Sequence, residues 1–336
     1  MPSPLKLASA WRIVKDVDLD GIRRRSNERF ELWAIANDGA DTREIASLLA
    51  PGPEHHPWLL RFTPDQVPTP GEVRPLAAVI VTRTADLDAA LAGVRNALRS
   101  KAVPVIVVRV GDTGPVASAP RAGEDARVAV TGLDESARAP VAATIVSVFQ
   151  DDRRLALARH FAGLRPQVFY SLIQETAQAN AKFAFTTGLA ETVPILSAPL
   201  ALGDVLVLTK NQVVLSYRIM LAAGRDGEPR KMVAEVLGIL GGGLLLRQIA
   251  RELVGLIPVA GLPLKIAVAY SGTWAIGRAM AMWAADGRAV TTDAVRTMMT
   301  DGLDRGKAVA QKLMAGRHAT PESGDAATET ATKAGA

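Results

Sequence analysis

MVAEVLGILGGGLLLR (Met232–Arg247) and LVGLIPVAGLPLKIAVAYSGTWAIG (Leu253–Gly277) dominate the second half of this chain, in an apolar stretch that runs on to Ala285. Val236–Leu246 carries no charge, and Leu253–Gly277 carries only Lys265. A membrane-spanning helix needs about 20 consecutive apolar residues, and runs of about 10–14 are more often buried core or re-entrant segments. Leu253–Leu264 and Ile266–Gly277 are two such short runs, and Pro258 and Pro263 break any single straight helix between them. A bent or hairpin-like pair of helices fits better. Lipid and the core of a helical bundle both remain open as its surroundings.

Small residues recur every four positions in the second run, at Ala267, Ser271, Ala275 and Ala279. That spacing places them along one side of a helix and predicts a close helix–helix contact. Tyr270 and Trp274 share a neighbouring face. Gly241, Gly242 and Gly243 would weaken a solvated helix, so tight packing is expected there.

Working outward, GLIPVAG followed by AVAYSGTWAIGRAM and a charged helix resembles domain-of-unknown-function family 697 over about Ala179–Asp301. That family accompanies Era-like GTPase domains and includes YcjF-like inner-membrane proteins. The resemblance implies a bacterial inner (cytoplasmic) membrane location, with the preceding domain in the cytoplasm. It implies no reaction.

The preceding residues read as an α/β domain. ELWAIA (31–36), WLLRF (58–62), PLAAVIVT (75–82), VPVIVVRV (103–110) and ARVAVTG (126–132) are strand candidates. TREIASLLA (42–50), ADLDAALAGVRNALRS (85–100) and ESARAPVAATIVSVFQ (135–150) alternate with them as helix candidates. The alternation argues for a mostly parallel sheet in three layers. VPVIVVRV is apolar throughout, as in a strand covered on both faces.

The order resembles an Era-type P-loop GTPase, which allows its motifs to be placed. The Walker A glycines fall on Ile35 and Ala40, its lysine on Asp41 and its hydroxyl on Thr42. A phosphate cradle needs converging N–H groups and a cation, and Asp41 offers like charge instead. The DTPG motif falls on Phe62, Thr63, Pro64 and Asp65, and NKxD on Arg109, Val110, Gly111 and Asp112. Thr42 and Asp112 are the residual motif positions. The expectation is a GTPase-like scaffold without nucleotide chemistry, a pseudo-GTPase. The alternative is an unrelated doubly wound domain.

Other signals exclude more than they assign. The chain has 336 residues, no cysteine, and 39 basic against 34 acidic residues, a formal net charge of +5. Disulfides and thiolate sites are excluded, and so modest a positive excess does not mark a nucleic-acid partner. Asp16-x-Asp18-x-Asp20-Gly21 opens like a calcium loop, but Asn27 stands where a bidentate glutamate is required. It reads instead as a helix start. His55 and His56 lie in a Pro-rich segment that reads as a solvated loop, and His160 is isolated in sequence. Asp204, within an otherwise apolar run, is either an acid in lipid or an ion-pair partner of Lys210 or Arg218.

The resulting organisation is an N-terminal helical extension (1–30), a degenerate GTPase-like α/β domain (31–150), an apolar helical domain (151–315) and a disordered tail (316–336). The expected function is a non-catalytic, membrane-associated adaptor or scaffold with a transmembrane helix. It would bind membrane lipid and a protein partner or a second copy of itself, with no cofactor, metal, nucleic acid or small-molecule substrate. A GTP-binding regulator using Thr42 and Asp112, and a soluble helical interaction protein, are the alternatives.

Overall fold

The strand candidates build one sheet. In the computed structural model, which describes residues 14–52, 56–68, 75–111, 124–149, 152–190, 197–241, 261–287 and 290–318, the strands are β1 (Leu32–Ile35), β2 (Leu59–Phe62), β3 (Ala77–Thr82), β4 (Val105–Val110) and β5 (Ala126–Val130). All neighbouring pairs are parallel, in the order β2-β1-β3-β4-β5. β1 and β3 are buried along their whole length, which is why their sequences are apolar on both faces.

Alternation along each strand divides the sheet's side chains between two cores. Leu32, Ala34, Val79, Ile106, Val108 and Val128 meet helices α2 (Gly39–Leu49) and α4 (Glu135–Ser147). Trp33, Ile35, Ile80, Val105 and Val107 meet α3 (Ala89–Ser100) through Leu91 and Leu98. An aspartate caps each of these helices. Asp38 accepts from Ala40 N, Asp88 from Leu91 N and Asp134 from Ser136 N, satisfying donors that the first helical turn leaves open.

After the sheet domain, the described residues form α5 (Arg153–His160), α6 (Arg165–Ala190), α7 (Ser197–Ala222), α8 (Pro229–Gly241), α9 (Leu262–Asp286) and α10 (Thr292–His318). α9, the second half of the opening stretch, packs against α6, α7 and α10 at once. Ile266, Tyr270, Thr273, Trp274, Ala275, Ile276, Ala279 and Met280 are buried around its circumference. A helix apolar all round is a core helix or a membrane span, and here three helices surround it.

The membrane and transmembrane-helix expectation is therefore corrected: among the described residues no helix is long and apolar enough to cross a membrane. α9 has 25 residues, but they include Lys265, Arg278 and Asp286, and much of its apolar character is Ala and Gly. Such residues add little hydropathy while letting neighbouring backbones approach closely. Gly242, Gly243, Pro258 and the side chain of Asp204 lie outside the described residues, as does the tail from 319 onward.

Helix α1 (Leu19–Ser26), within the expected N-terminal extension, is seated on α5, α7 and α8. Leu19 and Ile22 enter the bundle core, and Tyr217 Oη donates to Leu19 O at 3.3 Å. α5 serves both halves of the chain: Leu155 and Ala158 face the bundle and Leu157 faces the sheet core. The short turn after it brings Gly163 against α2 so closely that a Cβ there would lie 1.9 Å from Leu48 O.

Candidate functional site

In an open parallel sheet, ligands bind beyond the carboxyl ends of the strands, where the chain leaves adjacent strands toward opposite faces. Here β1 leads into α2 on one face and β3 leads into α3 on the other, so the crevice lies past Ile35 and Thr82. The residues there are Asn37, Asp38, Asp41, Thr42, Thr82, Arg83, Thr84 and Asp88.

They are engaged with one another. The Asp41 carboxylate, its side chain 6% exposed, accepts from Arg83 Nη2 at 2.6 Å and from Nε at 3.1 and 3.2 Å. That hydrogen bond raises the guanidinium above its already high ordinary value. Asn37 Nδ2 donates to Asp88, the cap of α3, and so ties the β1–α2 loop to the facing helix. The Leu91 amide first, and Asn37 second, hold the Asp88 carboxyl below the usual range.

The hydroxyls are engaged as well. Thr42 Oγ1 donates to Gly39 O at 2.9 Å. Thr84 Oγ1 donates to Asp86 O at 2.6 Å, leaving Thr82 Oγ1 to donate to Thr84 Oγ1 at 2.9 Å. Each thus gives its proton to a carbonyl or another hydroxyl rather than to a base.

The expected Walker positions therefore fall as follows. Ile35 ends β1, the loop is only Ala36–Asp38, and Ala40, Asp41 and Thr42 lie in the first turn of α2. The helix N-terminus, where a phosphate would seat, is occupied by the Asp38 cap and by Asp41. Thr63 and Pro64 open a short 3-10 turn after edge strand β2. Asp112 lies outside the described residues; the strand before it ends at Val110 and is followed by Gly111, with φ +92°.

The four small residues of α9 are all buried. Ala267 and Ser271 face two glycines of α10. A Cβ on Gly306 would lie 2.7 Å from Ala267 O, and one on Gly302 would lie 3.0 Å from Ser271 Cα. Ser271 Oγ donates to Met299 O at 2.8 Å. Residues four apart drift about 40° per step around a 3.6-residue helix, which turns Ala275 and Ala279 progressively away from that line.

Sequence reasoning missed Gly302 and Gly306. Two glycines four apart inside an amphipathic helix, each costing helix propensity, were the available signal. It also missed a buried polar group linking three helices: Asn180 Nδ2 donates to Thr273 Oγ1 at 2.7 Å, and Asn211 Nδ2 to Asn180 Oδ1 at 2.6 Å.

The reading of the histidines is corrected. The segment before β2 folds back on the end of α5, so His56 is half-buried with its ring centroid 5.0 Å from that of Phe161. Its Nε2 donates to the carbonyl of His160 at 2.9 Å. His55 lies outside the described residues. Also among the described residues, no three His, Cys, Asp or Glu side chains are grouped to hold a metal ion. No protein-family model, curated protein or solved structure matches this chain.

Proposed function

We propose that this chain is a non-catalytic adaptor: a pseudo-GTPase-like sheet domain joined to a helical bundle, acting by holding a protein partner. The observation that carries the reading is the state of the crevice. Where a nucleotide would need amide donors and a cation, the chain presents the carboxylates of Asp38 and Asp41, the latter bound by Arg83. A phosphate seated there would face two carboxylates at the helix terminus, only one of them paired with a guanidinium. What weighs against a divergent GTP site is the same geometry, because the Thr42 hydroxyl that would reach a metal ion is tied to Gly39 O.

Titration calorimetry of the full chain with GTP or ATP and Mg²⁺ tests this. No heat of binding is expected at millimolar nucleotide. Saturable binding, weakened by Asp112→Ala, would overturn the proposal and establish a GTP-binding regulator.

A further inference from the structure

His56 and His160 stand 104 positions apart and form a relay across the junction between sheet and bundle. His56 is engaged at both ring nitrogens: Nε2–H donates to His160 O at 2.9 Å, and Nδ1 accepts from Trp58 N at 3.3 Å. These partners set its tautomer, because a carbonyl can only accept and an amide N–H can only donate. His160 Nε2–H in turn donates to Glu28 O at 3.1 Å. The relay thus links the α1–β1 connection, the end of α5 and the segment leading into β2. Phe30, Trp58 and Phe161 wrap it, with Phe30 edge-on to His160 at 5.6 Å.

We propose that this relay is a proton-sensitive latch, and that a second proton on His56 releases the start of β2 from the bundle. Protonation at Nδ1 turns the acceptor of the Trp58 amide into a donor, so two N–H groups face each other immediately before the strand. The aromatic shell leaves the new charge poorly solvated.

Around His160 the neighbouring charges oppose a proton as well. From the α1–β1 connection, Arg29 lies over the Trp58 ring at 5.8 Å, and Glu28 faces the relay with its backbone carbonyl. From α5 comes Arg159, paired with Asp226 at 3.5 Å, and from α6 comes Arg165, which donates to Ala158 O and Arg159 O. Burial first lowers the affinity of both imidazoles for a proton; for His160 the charges of Arg159, His56 and Arg29 add to it.

The sign follows. The released form titrates near the ordinary value of about 6.5, and the closed form below it. Above pH 6.5 neither form takes the proton and the latch is indifferent to pH. Below it the released form is protonated first, so opening rises by up to about tenfold per pH unit for each histidine, until the closed-state value is reached.

The test is nuclear magnetic resonance of the full chain between pH 7.5 and 4.5. It would follow the His56 and His160 ring signals and the hydrogen exchange of the Trp58 amide, corrected for intrinsic rate. Both rings should titrate below 6.5, and Trp58 protection should fall on acidification while Val79, in a central strand, stays protected. His56→Gln should flatten the Trp58 response, and His160→Gln should reduce it. A wild-type His56 that titrates at or above 6.5 would overturn the proposal, with or without foldable variants. So would Trp58 protection that does not change with pH.

Discussion

A single methyl group at position 306 measures how tightly the opening stretch is held. Gly306 lies inside α10 against α9, and a Cβ added there would meet Ala267 O at 2.7 Å, Ala267 Cα at 2.8 Å and Tyr270 Cβ at 3.1 Å. Two of these three atoms are backbone and cannot rotate away. Ordinary carbon contacts lie near 3.5 Å, so α10 must move off α9 by roughly 0.7 Å, and such a gap forfeits a quarter to a half of the dispersion attraction along the seam. Overpacking of this kind costs about 1–3 kcal/mol. Alanine also returns about 0.8–1 kcal/mol of helix propensity, leaving a net destabilisation of about 0–2 kcal/mol for Gly306→Ala. Gly93 supplies the reference. It is exposed in α3, and a Cβ there would meet nothing within 4 Å, so Gly93→Ala should stabilise by the propensity alone. Urea unfolding of both variants and the parent, followed by circular dichroism, isolates the packing cost as the difference between them, about 1–3 kcal/mol. If Gly306→Ala stabilises the chain as much as Gly93→Ala, the close approach of α9 and α10 is wrong.

Two further outcomes follow from particular contacts. Gly163→Ala should destabilise the chain by about 3 kcal/mol, the upper end for overpacking, because its Cβ would lie 1.9 and 2.8 Å from the Leu48 and Leu49 carbonyl oxygens; an unchanged unfolding midpoint would refute the joint between α2 and the α5–α6 turn. At the crevice, Arg83→Ala should cost more than Asp41→Asn. Arg83 is 60% exposed and can return to water, whereas Asp41 is 6% exposed and would be left buried without its cation. An uncompensated buried acceptor costs about 1–3 kcal/mol, and equal unfolding midpoints for the two variants at pH 7 would refute that asymmetry.

Each strand of the sheet was legible as a short, largely apolar run, and each is shorter than that run by one or two residues. VPVIVVRV became β4 (Val105–Val110), and PLAAVIVT became β3 (Ala77–Thr82). That Ile35 and Ala40 are not the glycines a phosphate cradle would need was legible too, since it depends on residue identity alone. Arg83 as the partner of Asp41 was not, because the two are 42 positions apart and meet only where β3 lies beside β1. His56 read as a loop residue for the same reason: its partner His160 is reached only after the chain has crossed the whole sheet.

The amino-acid sequence by itself determined the strands and the helices between them, the mostly parallel α/β class of residues 31–150 and the apolar, small-residue character of α9. Those properties are local, set by side-chain shape, periodicity and the donors a helix start must satisfy. Only the tertiary structure decided the strand order and what surrounds α9. A helix apolar on every face looks the same in sequence whether its neighbours are lipid chains or protein. The choice rests on other segments of the chain: α6, α7 and α10 close around α9, and Gly302 and Gly306 let α10 approach its backbone.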